Sequence, residues 1–389
     1  MKKKIMLGAL LILLSFGVTG CVFDKNEDTT SNNDGNTSST TTTSSSNIKL
    51  SSSEIFTSRD LEQTVDTSNA TELEVVSDEN ITISKEGVYV IVGNASNTTI
   101  VVDAEDAKVD LVLDNVTIGN YDTPAIYVKN ADKVFISLVG SNKLSASSSF
   151  SGDTDSVIYS NNDIVIKGKG SLTIDSSAKG ISSKDDLLIT GGTLDIVSKD
   201  NALDSRNSIG VSSGTFTIKS SKDALHSEYS EDDTKGLIYI TGGTFNINAS
   251  DDGIHATTIA QIDDGSITID AEEGIEATII LINNGDISIK ASDDGINGSA
   301  KSKSYSILIE INGGNITIEM AEGDTDAIDS NGDIYVNGGT INITGQSAFD
   351  WDGNAKMTGG NVTVNGSSVT ELTNQFAGGG PGGPNGGRR

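Results

Sequence analysis

Proline occurs three times in this 389-residue chain, cysteine once, and aromatic residues make up only 5%. One cysteine leaves no disulfide possible within the chain. Three prolines and so few aromatics exclude the Leu- and aromatic-rich core of a globular α/β enzyme of this length. Basic residues are scarce too, 26 against 55 acidic ones, for a formal net charge of −29. Binding to phosphate backbones needs clustered Lys and Arg, so nucleic acid is excluded as a partner. Cations, or a surface kept soluble by charge, are favoured instead. With two histidines and no usable cysteine, zinc is a poor choice of metal.

What the chain does have is glycine, 43 copies, and a phrase of six residues: acid, spacer, small residue, Ile or Leu, polar, small. Copies stand at 200–205 (DNALDS), 222–227 (KDALHS), 251–256 (DDGIHA), 272–277 (EEGIEA), 293–298 (DDGING) and 325–330 (TDAIDS). The small residues Gly180, Ala202, Ala224, Gly253, Gly274, Gly295, Ala327 and Ala348 are spaced 22, 22, 29, 21, 21, 32 and 21 apart. A period near 21 to 22 marks a solenoid, whose coils bury their apolar faces only against each other.

Each period carries three strand signals. One alternates apolar and polar after a glycine, as in 192–196 (GTLDI) and 339–343 (GTINI). The second is the phrase itself. The third is a run such as Leu237–Ile240 or Ile334–Val336, followed by Gly-Gly or Asn-Gly corners. The expected fold is all-β, a single-stranded right-handed parallel β-helix of three strands per coil, with no helix in its body. The more aromatic coils before residue 170 are expected to include an N-terminal cap, and Trp351 in the last coil to pack at the C-terminal end.

The flanks read differently. Residues 1–20 combine a basic start with an apolar run too short to span a bilayer comfortably, and they end at Val18-Thr19-Gly20-Cys21. This resembles the lipobox of bacterial lipoproteins, which implies lipidation of Cys21 and anchoring on the extracellular face of the cell membrane. Residues 21–49, rich in Ser, Thr and Asn, read as a flexible tether; 50–372 is the β-helix; 373–389 is a Gly/Pro-rich tail. A monomer is expected.

Stacked coils bring equivalent residues to about 4.8 Å of each other. The residue before the small one then forms one outward column, Asn201, Asp223, Asp252, Glu273, Asp294 and Asp326. The residue two after it forms another: Asp204, His226, His255, Glu276, Asn297, Asp329 and Asp350. Asp200, Asp251, Glu272 and Asp293 line the turn, and Asp324 stands beside the last full phrase. Two carboxylates at this spacing repel by roughly 3 to 4 kcal/mol at an effective dielectric of 20, and by about 1 in water. A ladder of them calls for neutralisation, and Ca²⁺, with six to eight hard oxygen ligands, is the simplest source. The small residue between the acids is expected to leave a flat strip open to a ligand. Insertions at 228–235 and 299–306 should flank the ladder and offer Tyr229, Lys301, Lys303 and Tyr305, with His226 and His255, to a polyanionic sugar.

The segment 85–93 (KEGVYVIVG), followed by 109–118 (VDLVLDNVTI), 125–128 (AIYV) and 133–138 (KVFISL), resembles the opening coils of a bacterial surface β-helix family described as carbohydrate-binding domains. The resemblance covers about residues 60 to 389. It implies calcium-bearing sites on the coils, at the phrase acids, and affinity for acidic plant-wall polysaccharide of the pectin type. His226 and His255 depart from that pattern by replacing acids.

Three functions follow for comparison. The first is non-catalytic binding of uronate polysaccharide, with calcium bridging protein and ligand carboxylates. The second is a pectate-type lyase, which needs a Lys or Arg base beside the metal; Arg206, Lys199 and Lys222 are the candidates. The third is a structural or adhesive surface solenoid. Fold alone does not choose among them.

Overall fold

The computed structural model describes residues 49–374 apart from Asp324. The expected leader, Cys21 and most of the Gly/Pro tail lie outside those residues. Among the described residues no helix is long and apolar enough to cross a membrane.

The described chain is a parallel β-helix. A typical coil runs Thr193–Ser198, Leu203–Ser205, Ser208–Val211, and each strand pairs in parallel with its equivalent one coil on. The three strand positions make three long faces, here termed the alternating, phrase and strap faces. On the alternating face every second residue is buried, as in Thr193–Ser198. Leu194, Phe216, Phe245 and Ile267 stack in register on that face, and the two Phe rings lie parallel at 4.4 Å. Ile196, Ile218, Ile247 and Ile269 form the neighbouring stack, each almost fully buried. Repetition thus aligns like with like, and β-branched side chains suit such a pleated surface. The corner before each alternating strand has positive φ, +92° at Gly192 and +86° at Gly360, a conformation that only glycine adopts readily.

Two coils depart from the expected three strands. Asp252–Ile262 and Glu273–Ile282 run unbroken through the corner between phrase and strap faces, with a register irregularity between Ala256 and Ile259. The ends are closed as a solenoid requires. Thr71–Glu74 adds a strand to the strap face at one end. At the other, Ser367–Val369 folds back antiparallel on Asn361–Val364, and Trp351 packs half-buried against the core.

The body is not free of helix, contrary to the expectation. Two four-residue helices, Ser52–Ile55 and Ser58–Leu61, belong to a segment laid across the outside of the coils. Thr57 caps the second, its hydroxyl accepting from the Asp60 amide while the Asp60 carboxylate accepts from the Thr57 amide. Phe56 is buried against Phe135, Val165, Leu188 and Tyr239, which form an outward apolar column on the strap face. Gly210 occupies that column beneath the strap; a Cβ there would lie 2.7 Å from Ile55 Cγ2. Polar clamps complete the seam. Leu50 exchanges two hydrogen bonds with the fully buried Gln261, and Gln63 bonds Thr190 and Gly168. Arg59 reaches Asp110 at 2.7 Å and lies over the Phe135 ring, 4.4 Å from its centre. The buried Lys167 donates to the Arg59 carbonyl. The strap holds many coils together by contacts very distant in sequence.

Candidate functional site

The phrase strands form the columns that the period implies. Asp204, His226, His255, Glu276, Asn297, Asp329 and Asp350 follow one another in strict register. In the first column the side chains reach along the stack: Asp223 N donates to Asn201 Oδ1, Asp252 N to Asp223 Oδ1 and Asp326 N to Asp294 Oδ1, at 3.0 to 3.2 Å. Both columns turn away from the core, yet several members are largely buried; Asn201, Asp223, Asp252 and Glu276 are only 5 to 6% exposed.

The flat strip does not exist. Ala202, Ala224 and Ala327 are fully buried, and a Cβ on Gly253 would meet Ile269 Cγ2 of the core at 2.5 Å. The small residue points inward because the chain bends at this corner, and any larger side chain would collide with the isoleucine stack.

The ladder divides by how its charge is met. From Asp204 to Glu276 the protein supplies its own cations. Lys179 Nζ lies 2.8 Å from Asp204 and 3.1 Å from Asp155. His226 Nδ1 is 2.9 Å from Asp204, and its Nε2 is 3.3 Å from Glu228. His255 Nδ1 bridges Asp252 at 2.6 Å and Glu276 at 3.1 Å. Lys301, from the second insertion, completes the set 2.7 Å from Glu276. Burial opposes charge on both imidazoles, but hydrogen bonds to Asp204 and Glu228 outweigh it at His226, raised to about 9. Those to Asp252 and Glu276 do the same at His255, raised to about 10. Burial likewise works against ionised Asp204 and Glu276, yet His226 and Lys179 hold the first well below the usual carboxylate range. His255, Lys301 and Ser299 do so for the second.

Beyond that set, among the described residues no Lys, Arg or His pairs with Glu273, Asp294 or Asp329. Burial, then Glu276 and Asp252, push Glu273 up to about 8. Burial and the Asp293 and Asp326 charges outweigh the Asp326 amide and raise Asp294 to about 6. Burial with Asp294, Asp350 and Asp326 raises Asp329 to about 7. Between them sits Asn297, whose amide donates to Glu273 at 3.0 Å. Its Oδ1 is buried without any hydrogen-bond partner. A buried carbonyl oxygen left unpaired among carboxylates suits a hard cation, which would take oxygen ligands of both kinds.

The remaining expected residues scatter. Asp251 approaches Asp223 and Asp252 closely enough for three carboxylate oxygens to lie within 4.8 Å of one another. Asp200 pairs with Lys222 at 3.4 Å, Glu272 and Asp293 are exposed at the turn, and Asp324 lies outside the described residues. The two insertions do flank the ladder and meet each other, since Asp233 accepts from the Lys303 amide and the Ser304 hydroxyl, both at 2.7 Å. Tyr229 stacks under Arg206, 5.6 Å from its ring centre, and bonds Glu231. Tyr305 packs against an apolar cluster of Ile259, Ile279, Leu281 and Leu308.

Sequence reasoning missed Lys179, Glu228 and a separate trio, Asp163, Asp185 and Asp186, on the strap side. Lys179 was within reach: it precedes Gly180, so extending the first column one coil upward finds it. Glu228 directly follows the phrase at 222–227. The aspartate trio follows no phrase and carries no sequence signal.

Comparison with known proteins places this geometry. A family model described as carbohydrate-binding domain-containing protein matches residues 77–327. A carbohydrate-binding domain-containing protein of Acetivibrio thermocellus is 34% identical over 111 residues, 26% of this chain and 39% of that relative, so the chain matches well under half of its length. Among solved structures, the polysaccharide lyase-like protein from C. thermocellum, determined as a gadolinium derivative, aligns with a TM-score of 0.50 and 28% identity. The alignment covers 53% of this chain and 93% of that one.

Proposed function

The chain belongs to the carbohydrate-binding domain family, and from that premise we propose that it binds acidic, uronate-type polysaccharide through calcium on the lower ladder, without catalysis. The observation that carries this reading is the contrast at Asn297: an unpartnered buried oxygen beside carboxylates that have no protein cation. Glu273 and Asn297, joined at 3.0 Å, would begin the ligand set, and Asp294 and Asp329 on the following coils would extend it along the ladder. Calcium would supply positive charge that both protein and uronate carboxylates can share. The protein's own residues would fix the spacing of the oxygens by the coil register.

Three features support binding over lyase chemistry. A lyase base needs a lysine or arginine poised to lose its proton near the metal. Lys179 and Lys301 on the ladder are shifted the other way, because the Asp204 and Glu276 charges outweigh burial. The described lysine with a lowered value, Lys167, owes it to burial beneath the strap, away from the ladder. Arg206, the arginine nearest the phrase, is engaged with Tyr229. We further propose that the chain sits on the bacterial surface through lipid on Cys21.

The test is titration calorimetry of the chain with polygalacturonate, with calcium and with chelator, while absorbance of unsaturated product is followed in the same samples. Binding that requires calcium and releases no product is expected. Product formation would establish the lyase reading, and absence of binding in both conditions would leave a structural solenoid.

A further inference from the structure

The two histidines of this 389-residue chain stand in adjacent coils at the same column position, His226 paired in register with His255. Their rings are 5.1 Å apart, tilted by 32°. Each Nδ1 faces a carboxylate: Asp204 at 2.9 Å for His226, Asp252 at 2.6 Å and Glu276 at 3.1 Å for His255. A carboxylate only accepts, so each Nδ1 carries the hydrogen and each Nε2 is the nitrogen left to ligate. Glu228, on the first insertion, brings Oε2 to 3.3 Å from His226 Nε2. One ligating atom from each of His226, Glu228 and His255 lies within 4.8 Å of the other two. Asp223 Oδ2, 3.9 Å from His226 Nε2, is a further oxygen in reach.

We propose that His226, His255 and Glu228 form a binding site for a borderline divalent transition metal, Zn²⁺ above all, separate from the oxygen-only lower ladder. Two imidazoles and a carboxylate are the donor set of three-ligand zinc sites, which keep a fourth position open to water or a ligand oxygen. Nitrogen donors make the site poor for calcium and favourable for the later first-row metals. The carboxylates behind each Nδ1 are the outer partners that orient metal-bound histidine and strengthen it as a ligand. Bonds of about 2.0 to 2.1 Å place tetrahedral ligands roughly 3.3 Å apart, so the site must contract by about 1.5 Å at most. Glu228 can follow, since its side chain is 50% exposed. In the metal-free chain its carboxylate pairs with protonated Nε2; the metal takes the proton's place, because ligands bind metal deprotonated. The scarcity of histidine that argued against zinc does not matter once the coil spacing puts both copies together.

The test is calorimetric titration of the chain with Zn²⁺ in saturating calcium. One zinc per chain is expected, weakened about tenfold or more in His226→Gln, in His255→Gln and in Glu228→Gln. Zinc uptake that is absent, or unchanged in both histidine variants, would overturn the site. Should a variant fail to fold by circular dichroism, Cu²⁺ bound to the unaltered chain decides: electron paramagnetic resonance should give hyperfine structure from two imidazole nitrogens, and a spectrum of oxygen ligands alone would refute the assignment. The inference does not rest on polysaccharide binding, which uses other residues and another cation.

Discussion

The upper ladder, down to Glu276, and the lower, Glu273 with the coils from Asp294 to Asp350, are written in the same phrase and lie on the same face, yet they solve opposite problems. In the upper stretch, Lys179, His226, His255 and Lys301 are threaded among the acids, and every carboxylate in the second column has a cation within 3.1 Å. In the lower stretch the same column carries Asn297, Asp329 and Asp350, and burial with like charge raises Glu273 and Asp329 to about 8 and 7. A repeat sets where side chains go; a single substitution per coil sets whether the coil is self-neutralised or waits for an ion. The upper stretch therefore meets the charge of its second column from within, while burial still raises Asp223 and Asp252 in the first, and the lower one is the stretch where an outside cation gains most.

That contrast can be broken first by removing a built-in cation. His255→Leu leaves Asp252 and Glu276 buried and facing each other, so a loss of about 3 to 5 kcal/mol is expected by chemical denaturation, partly restored by added calcium. A loss below about 1 kcal/mol would mean that the histidine contributes little to charge balance. In the lower stretch the joint change Asp294→Asn and Asp329→Asn should remove the calcium-dependent stabilisation, about 1.4 kcal/mol at ten times the dissociation constant. Polygalacturonate binding should go with it, while the calcium-free protein becomes more stable. Asn297→Leu is the subtler version, lowering calcium affinity by about tenfold, or ~1.4 kcal/mol, with the carboxylates intact. At the exposed turn Lys222→Ala breaks the pair with Asp200 and should change stability by less than about 0.5 kcal/mol.

Acidity separates the two stretches as well. In the lower stretch the folded state holds protons that the unfolded chain has released. Stability in chelator should therefore fall as pH rises from about 4 through 8, the window set by Glu273, Asp294 and Asp329. Calcium should flatten that slope. In the upper stretch the raised imidazoles contribute stability that is complete below about 6.5 and is lost progressively as pH rises from there through about 9 to 10, while Asp252, raised by burial to about 6, adds a smaller fall from about 4 to 6. Melting curves with and without calcium across this range would check both signs; a slope unaffected by calcium would count against the ion.

Much of this was legible beforehand. The spacing of Gly180, Ala202 and Ala224 already stacks the coils, and the registry of Asp204, His226 and His255 matches it residue for residue. The direction of the small residue was misread, because strict alternation puts Gly253 outside, whereas the bend at the corner turns it onto Ile269. The strap was invisible for a different reason: Leu50 meets Gln261 across 211 residues, and nothing local in a Ser-rich segment announces such a partner. The same holds for Lys301, whose contact with Glu276 depends on how a long insertion folds back.

By itself, then, the amino-acid order determined the β-helix, its period, the isoleucine stacks and the membership of each acidic column, because a repeat with one bend per strand leaves the backbone a single way to bury its apolar face. Only the tertiary structure decided which acids are neutralised, how deeply they are buried, where the strap lies and that the two histidines converge on Glu228. Those outcomes depend on distances between side chains and on the water excluded around them, which residue order does not encode one position at a time.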